Sequence, residues 1–189
     1  VKTLPKRSEL PKEETWNLEA IFASDEEWED EFKKVKALLP KMADYEGKLA
    51  QSAQTLYEAL ELQSEISKRL SKLYSYAHMR YDQDTTNAHY QGLNDRASQL
   101  ATQMSSHVAF VVPEILSIPQ EKIRKFLSDN DELKLYTHAL DEINRQRPHI
   151  LSQKEEALLA EVSEVTSSPS NTFGMLNNAD LTFPTIKDE

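Results

Sequence analysis

Apolar residues recur every three or four positions near the start of the chain and predict an amphipathic helix. The repeat consists of Trp28, Phe32, Val35, Leu39 and Met42. These positions share one face of a helix that has 3.6 residues per turn. Ser24 and Glu27 form a capping-box pattern just before the repeat, so we expect the helix to begin there. Pro40 should kink or end it near 36–39, because proline lacks an amide donor.

Two longer apolar stripes follow and predict two long helices. The first begins at Ser52 and carries Leu56, Leu60, Gln63, Ser67, Leu70, Leu73, Ala77 and Tyr81 on one face. It should run for about 30 residues, or roughly 45 Å. The polar stretch "DQDTTN" ends it, and Thr86 or Asn87 can cap the next helix. That third stripe consists of Tyr90, Leu93, Ala97, Leu100, Met104, Val108 and Val111, and Pro113 should kink or end the helix.

Shorter helices are expected in the C-terminal half. Pro119 suits the first turn of a helix over "IPQEKIRKFLS". A further stripe consists of Leu133, Tyr136, Leu140 and Ile143, and Pro148 closes it. A second capping box, Ser152 with Glu155, predicts a helix to about Thr166, and a last helical piece should start at Pro169. Short polar turns between long stripes indicate an all-α fold, a bundle of long antiparallel helices.

The tail "NNADLTFPTIKDE" breaks this pattern. Leu181, Phe183 and Ile186 alternate with polar residues and proline, which is typical of a short strand. The polar "KDE" that follows suits a turn, so the tail resembles the first strand of a hairpin whose partner lies beyond Glu189. We expect residues 181–186 to be disordered or to pair irregularly with the edge of a neighbouring molecule.

Composition narrows the function. The 189 residues contain only 3 glycines, which argues against an all-β fold rich in tight hairpins. A net charge of −10 disfavours nucleic acid and anionic membranes as partners. No run of about 18 apolar residues predicts a membrane span. With no cysteine there is no disulfide or thiolate site, which fits a cytoplasmic protein.

Catalytic motifs are absent from the sequence. A zinc hydrolase helix needs two histidines four residues apart with a glutamate after the first, and none of the five histidines is followed by glutamate. His138 and Glu142 lie one helical turn apart, but two ligands are too few for a metal site. The three glycines cannot form a phosphate-binding loop. We therefore expect no catalytic and no metal-binding residue in this chain.

The stretch "LYSYAHMRYDQD", residues 73–84, offers the best candidates for ligand contact. Tyr76, Arg80 and Tyr81 group aromatic rings and a guanidinium near the end of the second long helix, where they could hold a peptide backbone or carboxylate. The plainer interpretation assigns Tyr81 to the core and Arg80 to a solvated or interhelical face. Three further basic residues, Arg145, Arg147 and His149, lie at the predicted C-terminus of a helix, where positive charge is favourable. This position alone is sufficient to explain the cluster.

Four segments resemble the N-terminal region of the oligoendopeptidase F family, which belongs to the thimet-oligopeptidase-like zinc peptidases. They are "LPKRSELPKEETWNLEAIFASDEEWE", "LYSYAHMRYDQDTTN", "INRQRPHILSQKEEALLAEVS" and "NNADLTFPTIKDE". The resemblance spans essentially all 189 residues. It implies a mostly helical parent enzyme about three times longer, which cleaves oligopeptides inside a channel with a zinc ion held in its C-terminal catalytic region.

The resemblance also implies a domain organisation and a role. Residues 1–180 would form the non-catalytic helical domain, and residues 181–189 would begin a hairpin leading to the catalytic region. The domain would form one wall of the channel, with Tyr76, Arg80 and Tyr81 as channel candidates and the catalytic domain as its partner. The alternative is a free-standing helical module that binds partner proteins through an exposed stripe.

Overall fold

The computed structural model describes residues 10–149 and, beyond them, residues 162, 166, 168–170, 172, 173, 176 and 181. The chain divides into two compact units, residues 1–144 and residues 145–189. In the second unit the described positions from 162 to 173 are helical. Leu181 lies outside a helix, and its amide donates to the carbonyl of Leu176 at 2.9 Å. The Ser152–Glu155 capping box and the rest of the predicted strand, 182–186, lie outside the described residues.

The all-α class is confirmed, since the described residues contain helices and no strand. The α-helices are α1 (Asp25–Leu38), α2 (Ala53–Gln83), α3 (Ala88–Val108), α4 (Val111–Ser117), α5 (Gln120–Asp129) and α6 (Thr137–Gln146). Short 3₁₀ helices occupy Lys12–Glu14, Leu18–Ala20, Leu39–Tyr45, Leu133–Tyr136 and Arg147–His149.

Helix α1 begins and ends where the sequence predicts. Ser24 is its N-cap, and its hydroxyl accepts the amide of Glu27 at 3.4 Å. The Glu27 carboxylate reaches back to the amide of Ala23 at 3.0 Å, which completes the box one residue earlier than the usual pattern. At the other end Pro40 lies in the first turn of the 3₁₀ helix Leu39–Tyr45, where its missing amide leaves no hydrogen bond unmade.

Helix α2 has the predicted length, but its buried face is shifted at the centre. Ser52 caps it by accepting the amide of Thr55 at 3.0 Å. The sequence stripe passed through Ser67, which is exposed, whereas the neighbouring Ile66 is fully buried. Isoleucine at this position gains transfer free energy by burial and serine does not, so the helix presents Ile66 to the core.

The break between α3 and α4 lies earlier than predicted. Asn87 caps α3 by accepting the amides of His89 and Tyr90. The helix then ends at Val108, and Pro113 lies in the first turn of α4 rather than at the end of α3. The proline ring would collide with the carbonyl four residues before it, at Ala109, so the chain leaves the helix there and starts again. Proline is tolerated in the first turn because those amides have no intrahelical acceptor.

The three long helices run antiparallel in chain order. Along α1 and α2, Asp25 contacts Tyr76 and Glu31 contacts Arg69, so the residue number rises in one helix as it falls in the other. The same order reversal relates α2 to α3, because His78 contacts Asn94 and Arg80 contacts Tyr90. One core of buried apolar residues lies between them and extends to α4, α5 and α6. The predicted antiparallel arrangement of long helices is therefore present in the first unit.

Candidate functional site

Tyr76 is a buried residue at the C-terminal end of α2. Its side chain is fully shielded from solvent, and its hydroxyl donates to Oδ1 of Asp25 at 2.8 Å. Burial raises the pKa of Tyr76 to about 12, and the hydrogen bond to Asp25 acts in the same direction. The Phe22 ring meets the Tyr76 ring edge-on at 5.5 Å between centroids. Tyr76 therefore joins α2 to α1 rather than facing solvent in this unit.

Arg80 lies one turn further along α2 and is held on three sides. Its guanidinium carbon is 5.1 Å from the centre of the Tyr76 ring and 5.8 Å from that of Tyr90. Nη2 of Arg80 donates to Oε1 of Glu19 at 3.1 Å. Stacking on two rings and pairing with a carboxylate fix the guanidinium plane. The structure thus brings Arg80 and Tyr76 together.

Tyr81 is partly buried and follows Arg80 directly. Consecutive residues on an α-helix point about 100° apart, so Tyr81 projects away from the Arg80 stack. Of the three residues singled out in the sequence, Tyr76 and Arg80 therefore hold α2 against neighbouring elements, and Tyr81 lies beside them.

Asp25 is the member of this cluster that the sequence pattern did not indicate. One carboxylate oxygen accepts from Tyr76, and the other lies 3.0 Å from Nε2 of His89 at the start of α3. Asp25 therefore connects the start of α1 to the end of α2 and the start of α3. An acidic residue in the first turn of a helix is usually explained by its favourable interaction with the helix dipole. The sequence alone therefore gave no reason to expect a long-range role for Asp25.

A second set of contacts between these helices lies one turn further along α1. Arg96 on α3 makes two hydrogen bonds to the carboxylate of Glu29, the second at 2.8 Å, and its guanidinium lies 4.4 Å from the centre of the Phe32 ring. The hydrogen bond from Arg96 lowers the pKa of Glu29. Trp28 stacks on Phe32 at 5.2 Å between ring centroids. The two arginines thus tie α1, α2 and α3 into one end of the bundle.

We expect Tyr76→Phe to change how stability depends on alkaline pH. The free Tyr pKa is about 10, and the folded value is raised to about 12. A raised folded pKa gives stability that is present below the unfolded pKa and is lost as pH rises toward the folded one. The wild-type chain should therefore lose stability between about pH 10 and 12, and Tyr76→Phe should lose less in that window.

Urea denaturation at pH 7 and pH 11 measures this effect. At pH 7 the variant should be less stable by about 1–2 kcal/mol, because the hydroxyl bonds to a charged carboxylate. Tyr136→Phe should behave in the same way in another region, since the pKa of Tyr136 is also raised to about 12 and its hydroxyl donates to Glu61 at 2.7 Å. Unchanged pH dependence in Tyr76→Phe would contradict the assignment.

A groove opens at the same end of the bundle. It has a volume of about 360 Å³ and is lined by Leu10, Glu14, Thr15, Trp16, Met79, Asp82 and Gln83. Trp16 is 73% exposed and Leu10 is also exposed, so apolar side chains form part of the groove.

A larger groove lies at the start of α2. It measures about 770 Å³, and both amides and charges of either sign line it, including Lys122, Lys125, Glu121 and Asp129. The mixed charges give this groove no clear preference for an anion or a cation.

The described residues contain no metal-binding cluster, meaning no group of three His, Asp or Glu side chains that could hold an ion. His138 is exposed, and it belongs to no such group with Glu142. The residues that the structure describes do not fit a zinc ion, so no chemical step is assigned to zinc here. In this same part of the chain no helix is long and apolar enough to cross a membrane.

The sequence is similar to those of known oligopeptidases. A family model described as Oligopeptidase F matches residues 114–183. Over 98% of its length the chain is 60% identical to Oligopeptidase PepF of Bacillus subtilis, and it covers 28% of that protein. It is 40% identical over 97% of its length to the plasmid-encoded Oligoendopeptidase F of Lactococcus lactis subsp. cremoris, of which it covers 31%. The chain thus spans less than a third of the length of these relatives.

Solved structures show the same relationship. The oligoendopeptidase F of Enterococcus faecium superposes with a TM-score of 0.68 at 36% identity, covering 86% of this chain and 32% of that one. A solved structure from Chlamydophila abortus, at 23% identity and a TM-score of 0.75, shares the fold. Together these similarities support an oligoendopeptidase F N-terminal domain.

Proposed function

We propose that this chain is the N-terminal part of a cytoplasmic, zinc-dependent oligoendopeptidase that hydrolyses short peptides inside an enclosed channel. In that enzyme the chain forms one wall of the channel and contributes no zinc ligand. Zinc would be held by the C-terminal catalytic region, where it would polarise the scissile carbonyl. The observation that supports this proposal is the 60% identity over 98% of the chain to an oligopeptidase of which the chain covers only 28%.

The end of α2 is our candidate for the part of the wall that faces the substrate. Tyr81 is accessible there, whereas Tyr76 and Arg80 hold the helix end against α1 and α3. A partly exposed tyrosine presents an apolar ring and a hydrogen-bonding hydroxyl, which suits contact with peptides of varied sequence. Tyr76 and Arg80 would act on the peptide through the position that they give to Tyr81.

Tyr81→Ala in the full-length enzyme tests this assignment. We expect kcat/KM for a quenched fluorescent peptide of eight to ten residues to fall by about 3–10-fold, mainly through KM, because binding contacts are lost and the chemistry is not. Tyr74→Ala is the matched control, since Tyr74 is an exposed tyrosine on the same helix. An equal response of the two variants would contradict a substrate-facing Tyr81.

Confinement in a channel predicts a limit on substrate size. The full-length enzyme should cleave short peptides and leave the same sequence intact when it is placed in a loop of a stable folded protein. Equal cleavage of both substrates would contradict the channel. A free-standing interaction module remains the competing function, and a stop codon directly after Glu189 in the coding sequence would favour it.

A further inference from the structure

The groove beside Trp16 differs from other exposed surface because three features meet in it. Trp16 is 73% exposed, and Leu10 and Met79 add apolar surface beside it. Tryptophan is among the residues that contribute most to binding energy in protein interfaces. An exposed indole that forms part of a concave surface therefore indicates an interface more strongly than a single exposed leucine does.

Gln83 lines the groove and carries a buried hydrogen-bond donor. Its Nε2 atom is buried, and within the described part of the chain it has no hydrogen-bond partner. Leaving a buried polar group unpaired is unfavourable. A partner that places a carbonyl oxygen in the groove would remove this cost.

The rim of the groove is acidic. Glu14 and Asp82 line it, and among its lining residues that the structure describes there is no lysine or arginine. Asp82 also lies 3.6 Å from Nε2 of His78. The complementary surface is therefore an apolar side chain next to a backbone carbonyl, flanked by a basic residue.

The relatives supply an occupant with enough chain to provide such a surface. They are about three times longer than these 189 residues, since the chain covers 28–31% of them. We infer that the groove formed by Leu10, Glu14, Thr15, Trp16, Met79, Asp82 and Gln83 is the docking site for the remainder of the full-length oligoendopeptidase. The inference rests on the proposed function, because the occupant is the catalytic part of that enzyme.

This docking places the end of α2 between two attachments. Tyr76 and Arg80 fix it to α1 and α3, and Met79, Asp82 and Gln83 contact the remainder of the enzyme. The wall that carries Tyr81 is then held in a defined position relative to the catalytic region. Stable interfaces bury about 1,200–2,000 Å² in total, so the groove acts as the anchor of a larger contact.

Hydroxyl-radical footprinting of the full-length enzyme tests the docking site. Modification of each residue is measured by mass spectrometry in native buffer and in urea, and the ratio of the two rates gives a protection factor. Trp16 and Met79 should be protected on the order of tenfold or more, as expected for desolvated interface anchors. Leu135, which is 80% exposed in this unit, is the accessible reference, and Trp28, which is fully buried, is the protected reference.

The protection of Trp16 distinguishes three possible occupants of the groove: the remainder of the enzyme, a second copy of the protein and a substrate peptide. Protection of Trp16 close to that of Trp28, independent of protein concentration and of added peptide, supports the proposal. Protection that grows with protein concentration indicates a second copy, and protection that appears only with a non-cleavable peptide indicates a substrate site; either result overturns it. Equal protection of Trp16 and Leu135 also overturns it.

Peptidase activity measured on the same preparation keeps this inference separate from the proposed function. An active enzyme with a reactive Trp16 refutes the docking site and leaves the function standing. As a second test, Trp16→Ala should lower the Tm of the full-length enzyme, and Leu135→Ala should not. Equal Tm values for the two variants would count against the docking site.

Discussion

Trp28→Ala is expected to destabilise the 189-residue chain by about 3–5 kcal/mol, a cost typical of truncating a large buried aromatic residue. Trp28 is fully buried on α1, stacks on Phe32 and donates from Nε1 to the carbonyl of Leu73 on α2 at 2.9 Å. Removing the indole leaves a cavity where α1 meets α2 and also removes the ring beside Arg96. A domain with a total stability of about 5–15 kcal/mol would keep only part of it.

Urea denaturation followed by circular dichroism measures this loss. The chain provides its own control, because its only other tryptophan, Trp16, is 73% exposed. Trp16→Ala should change the free energy of unfolding of the 189-residue chain by no more than about 0.5 kcal/mol, as is usual for surface positions. Similar losses in the two variants would contradict the burial described for Trp28.

Glu114→Ala should have the second largest effect, about 2–4 kcal/mol, because two charge-assisted hydrogen bonds are lost together. The Glu114 carboxylate on α4 accepts the amide of Gly47 at 2.9 Å and that of Leu49 at 2.6 Å. It therefore closes the turn between the 3₁₀ helix Leu39–Tyr45 and α2. Gly47 has φ +73°, a conformation that favours glycine. The carboxylate of Glu114 holds its amide in this turn.

Glu46→Ala is the control for charge, since Glu46 is an exposed carboxylate beside the same turn. The free energy of unfolding of Glu46→Ala should stay within about 0.5 kcal/mol of the wild type. Hydrogen exchange at Gly47 and Leu49 should accelerate in Glu114→Ala and stay unchanged in Glu46→Ala. Unaltered exchange in both variants would show that Glu114 does not hold the turn.

The helical architecture could be predicted from sequence because its signals are local. Capping residues such as Ser24, Ser52 and Asn87 act within three residues of themselves, and apolar spacing of three and four reports directly on a buried face. The N-caps of α1, α2 and α3 are therefore those that the sequence predicts. Two predictions were wrong. Ser67 was placed on the buried face of α2, although the face passes through its neighbour Ile66. Pro113 was expected at the end of α3, although a proline can equally lie in the first turn of the next helix, as it does in α4.

The contacts that define the candidate site could not be predicted in this way. Asp25 pairs with residues 51 and 64 positions away, and Glu114 with amides 65 and 67 positions away. Nothing in the spacing of charges distinguishes such a carboxylate from one in water. Tyr76 illustrates the same limit, since its polar tip suggested ligand contact and its actual partner is Asp25.

We propose that these 189 residues are the non-catalytic part of a zinc-dependent oligoendopeptidase. The most direct measurement is cleavage of a quenched fluorescent peptide by two purified proteins, the full-length product of the gene and the 189-residue chain, each with added zinc and with a chelator. We expect cleavage only by the full-length protein with zinc, and its loss on chelation. Zinc-dependent cleavage by the 189-residue chain, or a full-length product that cleaves no peptide, would contradict the claim.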